Sequence, residues 1–140
     1  MIHVLLNWYS KLFSCVRWDC ARPEEFKISC GVKQDGVLSP ALFCIYVDNI
    51  LSKLSNYGCK MNGISYGSFM YADDLILLAP SIAELQLMVK VCCDELDAIN
   101  LKLNTNKSYC IRVGKRYFVD CPKICTGNGD IAWAKEAKYL

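Results

Sequence analysis

Two adjacent carboxylates, Asp73 and Asp74, stand inside an otherwise strongly apolar stretch, residues 69–79. Burying two unpaired anions costs far more than a short strand recovers, so the pair must lie at an exposed hairpin tip or hold a hard cation. Magnesium suits the second role, because it prefers oxygen ligands, needs only one or two protein carboxylates and leaves positions open for phosphates.

The chain around this pair is 140 residues long and 54% hydrophobic, enough for one domain with a core that needs no disulfides, and too apolar for disorder. No apolar stretch approaches the roughly 20 residues that span a bilayer, and no charged n-region with a cleavage site opens the chain. The expectation is therefore an intracellular protein, neither secreted nor membrane-spanning, with nucleus and cytoplasm unresolved. Ten cysteines fit that compartment as thiols. Cys44 and Cys92 fall on apolar faces of helical patterns. Cys121 and Cys125, and the adjacent Cys92 and Cys93, lack the second ligand pair of a zinc site.

Charge is unevenly spread. Residues 1–100 hold eight Lys or Arg against eleven Asp or Glu, a net of −3, whereas residues 101–140 hold eight against three, a net of +5. A basic tail of this kind meets nucleic-acid phosphates or is an ordinary solvated surface.

Local patterns set out the elements. Ile2, Leu5, Leu6, Tyr9, Leu12, Phe13 and Val16 recur at helical spacing and predict an amphipathic helix ending near Arg17. Residues 26–32 read as a strand feeding a turn at Asp35-Gly36. Ser39-Pro40 is a helix start, Phe43, Val47, Ile50 and Leu54 form its apolar stripe, and Gly58 closes it, which predicts a helix over 40–57 aimed back at the loop 31–38. Residues 66–71 and 75–79 predict a hairpin with the acidic pair at its turn. Ser81-Ile82-Ala83-Glu84 is a capping box, and Ile82, Leu85, Val89, Cys92, Leu96 and Ile99 predict a helix over 82–99. Residues 101–103 and 109–113 read as strands, Phe118 and Val119 continue a sheet, and 126–130 is a turn. The sum is an α+β fold with helices on one face of an antiparallel sheet.

The stretch Gly31-Val32-Lys33-Gln34-Asp35-Gly36-Val37-Leu38-Ser39-Pro40 resembles the reverse transcriptase motif built on Gln, Gly and Leu-Ser-Pro, and Tyr71-Ala72-Asp73-Asp74 resembles that family's Tyr-x-Asp-Asp box. Leu101-Lys102-Leu103-Asn104 with Lys107-Ser108 looks like the next palm motif, and Lys138-Tyr139-Leu140 looks like the start of a Tyr-Leu-Gly motif. The wording is most similar to the polymerases of non-LTR retrotransposons. The resemblance implies a partial reverse transcriptase domain over residues 1–140, a palm without fingers, thumb or first catalytic strand.

It also implies nucleotidyl transfer on an RNA template, with a DNA primer 3′-hydroxyl attacking an incoming deoxynucleotide and two Mg²⁺ ions about 4 Å apart assisting. By resemblance Asp73 is a direct metal ligand and Asp74 its supporting partner. Gln34 reaches the nucleotide sugar and template, Tyr71 packs near the primer terminus, and Lys107 neutralises or protonates the leaving pyrophosphate. Lys102, Arg112, Lys115 and Arg116 track the phosphate backbone. For Tyr71 core filling, and for Lys107 a solvated strand end, are equally open readings. Asp35 departs from the family's usual glycine and adds charge where backbone should approach substrate. The family's third metal-binding aspartate has no counterpart here, since residues 3–16 contain no acid. It is expected upstream of Met1, and the chain alone is expected to be inactive. The alternative is an inactive palm remnant that at most binds nucleic acid or protein.

Overall fold

The structure, a computed structural model, describes residues 2–18, 24–29, 31, 36–115 and 120–137. The chain divides into two compact units, Met1–Ser39 and Pro40–Leu140.

The first unit opens with α1, Ile2–Tyr9, which buries none of its residues. The helix stops well short of Arg17, contrary to its apolar spacing. Ser10 turns its hydroxyl onto the Asn7 carbonyl at 2.9 Å, and the Lys11 amide reaches back only three residues, to Trp8. A serine that bonds its own backbone in this way competes with helix continuation. Phe13–Cys15 is instead strand β1, paired antiparallel with β2, Glu25–Lys27, in the register Phe13 to Lys27. The strand expected over 26–32 is thus short, and Val32 lies outside the described residues, as does the Asp35 of the following turn.

In the second unit, helix α3, Ile82–Ala98, forms the middle of the core. Its two faces serve two clusters. Met88 and Cys92 pack with Val47, Ile50 and Leu54 of α2, Ser39–Leu54, while Val89 packs with Cys110, Ile124 and Ile131 of the strands that follow. The stripe predicted on α2 is the buried one, although Cys44 is exposed and not on it. Three polar contacts join the helices at the rim. Asn49 donates to Glu95 at 2.7 Å, Lys53 pairs with the other Glu95 oxygen, and Tyr46 donates to the Ile99 carbonyl at 2.9 Å.

Helix α3 begins at N-cap Ser81, as its sequence predicts, and ends one residue earlier than predicted. Asn100 takes a left-handed φ of 57°, and the amides of Asn100 and Leu101 bond to the carbonyls of Asp97 and Leu96. These are the two bonds of a Schellman motif, so residues 101–103 continue a helix cap instead of forming the expected strand.

Among the described residues, four small sheets replace the single sheet expected from the sequence. Besides β1–β2 there are the hairpin of β3, Lys60–Met61, and β4, Ile64–Ser65; the hairpin of β5, Ser68–Tyr71, and β6, Asp74–Leu77; and three strands, β7, Tyr109–Ile111, β8, Ile124–Thr126, and β9, Gly129–Ala134. All ladders are antiparallel except β7–β9, which is parallel. The α+β class holds, and an entirely antiparallel sheet does not. Phe118 and Val119 lie outside the described residues. Gln86 of α3 docks β8 as a strand would, its amide giving to and taking from the Cys125 backbone at 2.7 and 2.8 Å. No helix among the described residues is long and apolar enough to cross a membrane.

Candidate active site

Strands β5 and β6 pair in the register Ser68 to Leu77, Phe69 to Ile76, Met70 to Leu75 and Tyr71 to Asp74, leaving a loop of two residues, Ala72 and Asp73. The alternation of a strand then sorts the side chains. Met70, Leu75 and Leu77 pack on the α2–α3 core. Phe69 and Tyr71 point away from it, Tyr71 being 66% exposed opposite Asp74. Tyr71 therefore does not fill the core.

A two-residue hairpin loop needs positive φ at its first central position, where glycine is the usual occupant. Ala72 holds a φ of 52° there. The sequence contained this signal, because the loop length alone demands a left-handed residue. Asp73 and Asp74 are both exposed, and neither is ion-paired with a lysine or arginine among the described residues. The two carboxylates, one in the loop and one at the start of β6, therefore meet water with no lysine or arginine partner among the described residues.

The other expected site residues are placed unequally. Gln34 lies outside the described residues, and so do Arg116 and the 138–140 motif. Lys107 is exposed in the turn before β7, its amide held by the carbonyl and side-chain oxygens of Asn104 at 3.1 and 3.3 Å. It is not ion-paired with Asp73 or Asp74. No third histidine, cysteine or acidic residue groups with another two as a metal site among the described residues. Cys125, one half of the spacing considered for zinc, hydrogen-bonds Asp130. That bond holds its thiol above the ordinary range, and Lys123, 3.1 Å from Asp130, with the same thiol holds the carboxyl below its own.

The base of the hairpin is a backbone crossing. Gly58, at φ 82°, lies so close to Gly67 that a Cβ on either would sit 2.5 or 2.9 Å from the other's Cα. The Leu78 amide donates to the Gly67 carbonyl at 2.7 Å, and the Leu78 carbonyl accepts from Cys59 at 2.9 Å. Glu84 contributes a residue that the sequence did not assign. Its amide bonds the Ser81 hydroxyl at 3.2 Å, half of the capping box, but its carboxylate accepts the buried Gly58 amide at 2.8 Å. The long reach of the side chain to another segment left no local signal.

The family profile described as "Reverse transcriptase (RNA-dependent DNA polymerase)" matches residues 2–140. The chain belongs to the reverse transcriptase family. It is also 39% identical over 92 residues to the "Retrovirus-related Pol polyprotein from type-2 retrotransposable element R2DM" of Drosophila melanogaster, a match spanning 65% of this chain and 8% of that much longer relative. No solved structure matches it. Within a reverse transcriptase, the β5–β6 tip is the site where the Tyr-x-Asp-Asp resemblance falls. Its donors are hard carboxylate oxygens, adjacent, solvated and uncompensated, which fits a magnesium ion and not a soft-ligand metal.

Proposed function

We propose that this chain is the palm of an RNA-directed DNA polymerase of the non-LTR retrotransposon kind, and that the β5–β6 tip is its reaction centre. The observation that supports it best is the exposed pair Asp73, in a two-residue hairpin loop, and Asp74, at the start of β6, with no lysine or arginine partner among the described residues, inside a chain that belongs to the reverse transcriptase family. Asp73 and Asp74 would hold Mg²⁺, with Asp73 the direct ligand and Asp74 its support. When bound, the metal supplies positive charge that favours an ionised primer hydroxyl and stabilises the phosphoryl oxygens.

The protein's own groups do the positioning. Asp74 sits on a strand whose inward neighbour Leu75 is anchored in the core, so its carboxylate cannot swing with the loop. Tyr71, opposite Asp74 on the solvent face, offers an apolar ring beside the carboxylates for a primer-terminal sugar or base. Lys107 and the exposed Lys102 and Lys115 bring positive charge to phosphates, and Gln34 contacts the nucleotide sugar. RNA template, DNA primer and deoxynucleotides are the substrates of this reading.

Primer extension with Mg²⁺ by a polypeptide that contains this segment together with its neighbouring sequence tests it. Asp73→Asn should remove nearly all incorporation while leaving the fold intact. Substantial residual synthesis by that variant would take Asp73 out of the reaction.

A further inference from the structure

We infer that Glu84 is a positioning residue for the Asp73–Asp74 tip, acting through the backbone crossing at the base of the hairpin; the inference rests on the role just given to the two aspartates. Among the described residues, strands β5 and β6 form a sheet of their own, with no third strand to fix their direction. Their aim depends on two things: the packing of Met70, Leu75 and Leu77, and the crossing where residues 58–59, 66–67 and 78 meet. In the crossing every bond but one is backbone to backbone. Tyr66 donates to Cys59, Cys59 to Leu78, and Leu78 to Gly67, at 2.7, 2.9 and 2.7 Å.

The exception is the Gly58 amide. Gly58 is buried and holds a φ of 82°. Glu84 supplies the acceptor, at 2.8 Å. A buried amide left without a partner is costly, so the crossing would shift to hydrate it if the carboxylate were removed. Gly58 cannot move alone, because Gly67, the Leu78 carbonyl and the Met88 methyl stand within contact of it. Gly67 precedes Ser68, the first residue of β5, and Leu78 follows the last residue of β6. Displacement at Gly58 is thus passed to both strands at once, and the far end of both strands is the acidic tip. Glu84 is also fixed at its own end, as the third helical residue of α3 behind the Ser81 cap. The start of α3 thereby serves as the anchor against which the tip is set.

Two substitutions separate this role from mere support of the fold. Glu84→Gln keeps an oxygen acceptor and loses the charge; Glu84→Ala loses both. Amide exchange and ¹⁵N shifts, measured on the chain without metal, should show Glu84→Ala speeding exchange of Gly58 and Leu78 about tenfold and shifting the amides of Ala72, Asp73 and Asp74. Glu84→Gln should restore all five signals. Mn²⁺ broadening of the tip amides should then report about tenfold weaker binding in Glu84→Ala and near-normal binding in Glu84→Gln, the size of effect that supporting partners have on metal ligands. Changes that stop at Gly58 and Gly67, or a Gln variant no better than Ala, would overturn the inference. Asp73→Asn keeps the two readings apart. If Mn²⁺ binds the unsubstituted chain no better than that variant, the metal role of the aspartates fails, and Glu84 is judged on the metal-free amide signals alone.

Discussion

Two residues, Ala72 and Gly67, adopt conformations that a side chain resists or that neighbours make obligatory. Ala72 is the first. A methyl group at φ 52° costs about 1 kcal/mol, which glycine would not incur. Ala72→Gly should raise stability in urea by about that amount, and at the same time loosen the tip, because the strain also restricts it. Gly67 is the second case, since its added Cβ would lie 2.3 Å from the Tyr57 carbonyl oxygen. Gly67→Ala should cost about 3 kcal/mol in denaturant unfolding, the range of overpacking against rigid backbone. Gly63 makes the contrast. Its φ of 79° is positive like that of Ala72, but there is open space around it, so a substitution there meets only backbone strain.

Among the elements, α3 carries most of the fold, and it is also the element most legible in the sequence. Its cap residue, its three-four spacing and its start all lie within one local stretch. Even so, Met88 escaped that reading although it is fully buried, because α3 packs against two clusters and buries a wider arc than one stripe covers. Met88→Ala should destabilise by about 2–5 kcal/mol in the same unfolding assay. Where partners are distant in sequence, less was legible. Phe13 and Val16 fit a helix by spacing, yet pairing with residues 25–27 draws residues 13–15 into a strand. Strand β9 has a single β-branched residue, Ile131, and is held by β7 and β8 on either side. The Asn62-Gly63 turn joining β3 and β4, with φ of 52° and 79°, was a legible hairpin signal that composition as a loop obscured.

Helix α3 also predicts a pH dependence. Burial, with a smaller contribution from Cys93, pushes the Cys92 thiol from its ordinary 9.0 up to about 12. The folded state therefore holds this proton more tightly than the unfolded chain. Its stabilising contribution is complete below pH 9 and is lost as the pH rises toward about 12. Unfolding free energy should fall across that window, and Cys92→Ala should flatten the fall while lowering stability at neutral pH.

On the scale of the whole molecule, charge is unevenly divided. The acidic tip and the −3 balance belong to residues 1–100, and the +5 balance belongs to residues 101–140. If the basic residues track nucleic-acid phosphates, replacing Lys102 and Lys115 with Ala should weaken RNA–DNA duplex binding evenly across sequences. The slope of log affinity against log salt should drop by about one for each phosphate that is no longer neutralised. Family membership rests on the chain from residue 2 to 140, whereas the reaction proposed for it rests on the few side chains of one hairpin. The second is tested most directly by titrating the chain with Mn²⁺ and following the free ion by electron paramagnetic resonance. Saturable binding that Asp73→Asn abolishes and Asp74→Asn weakens is the expected result; binding that survives both substitutions unchanged would contradict the metal role of the two aspartates.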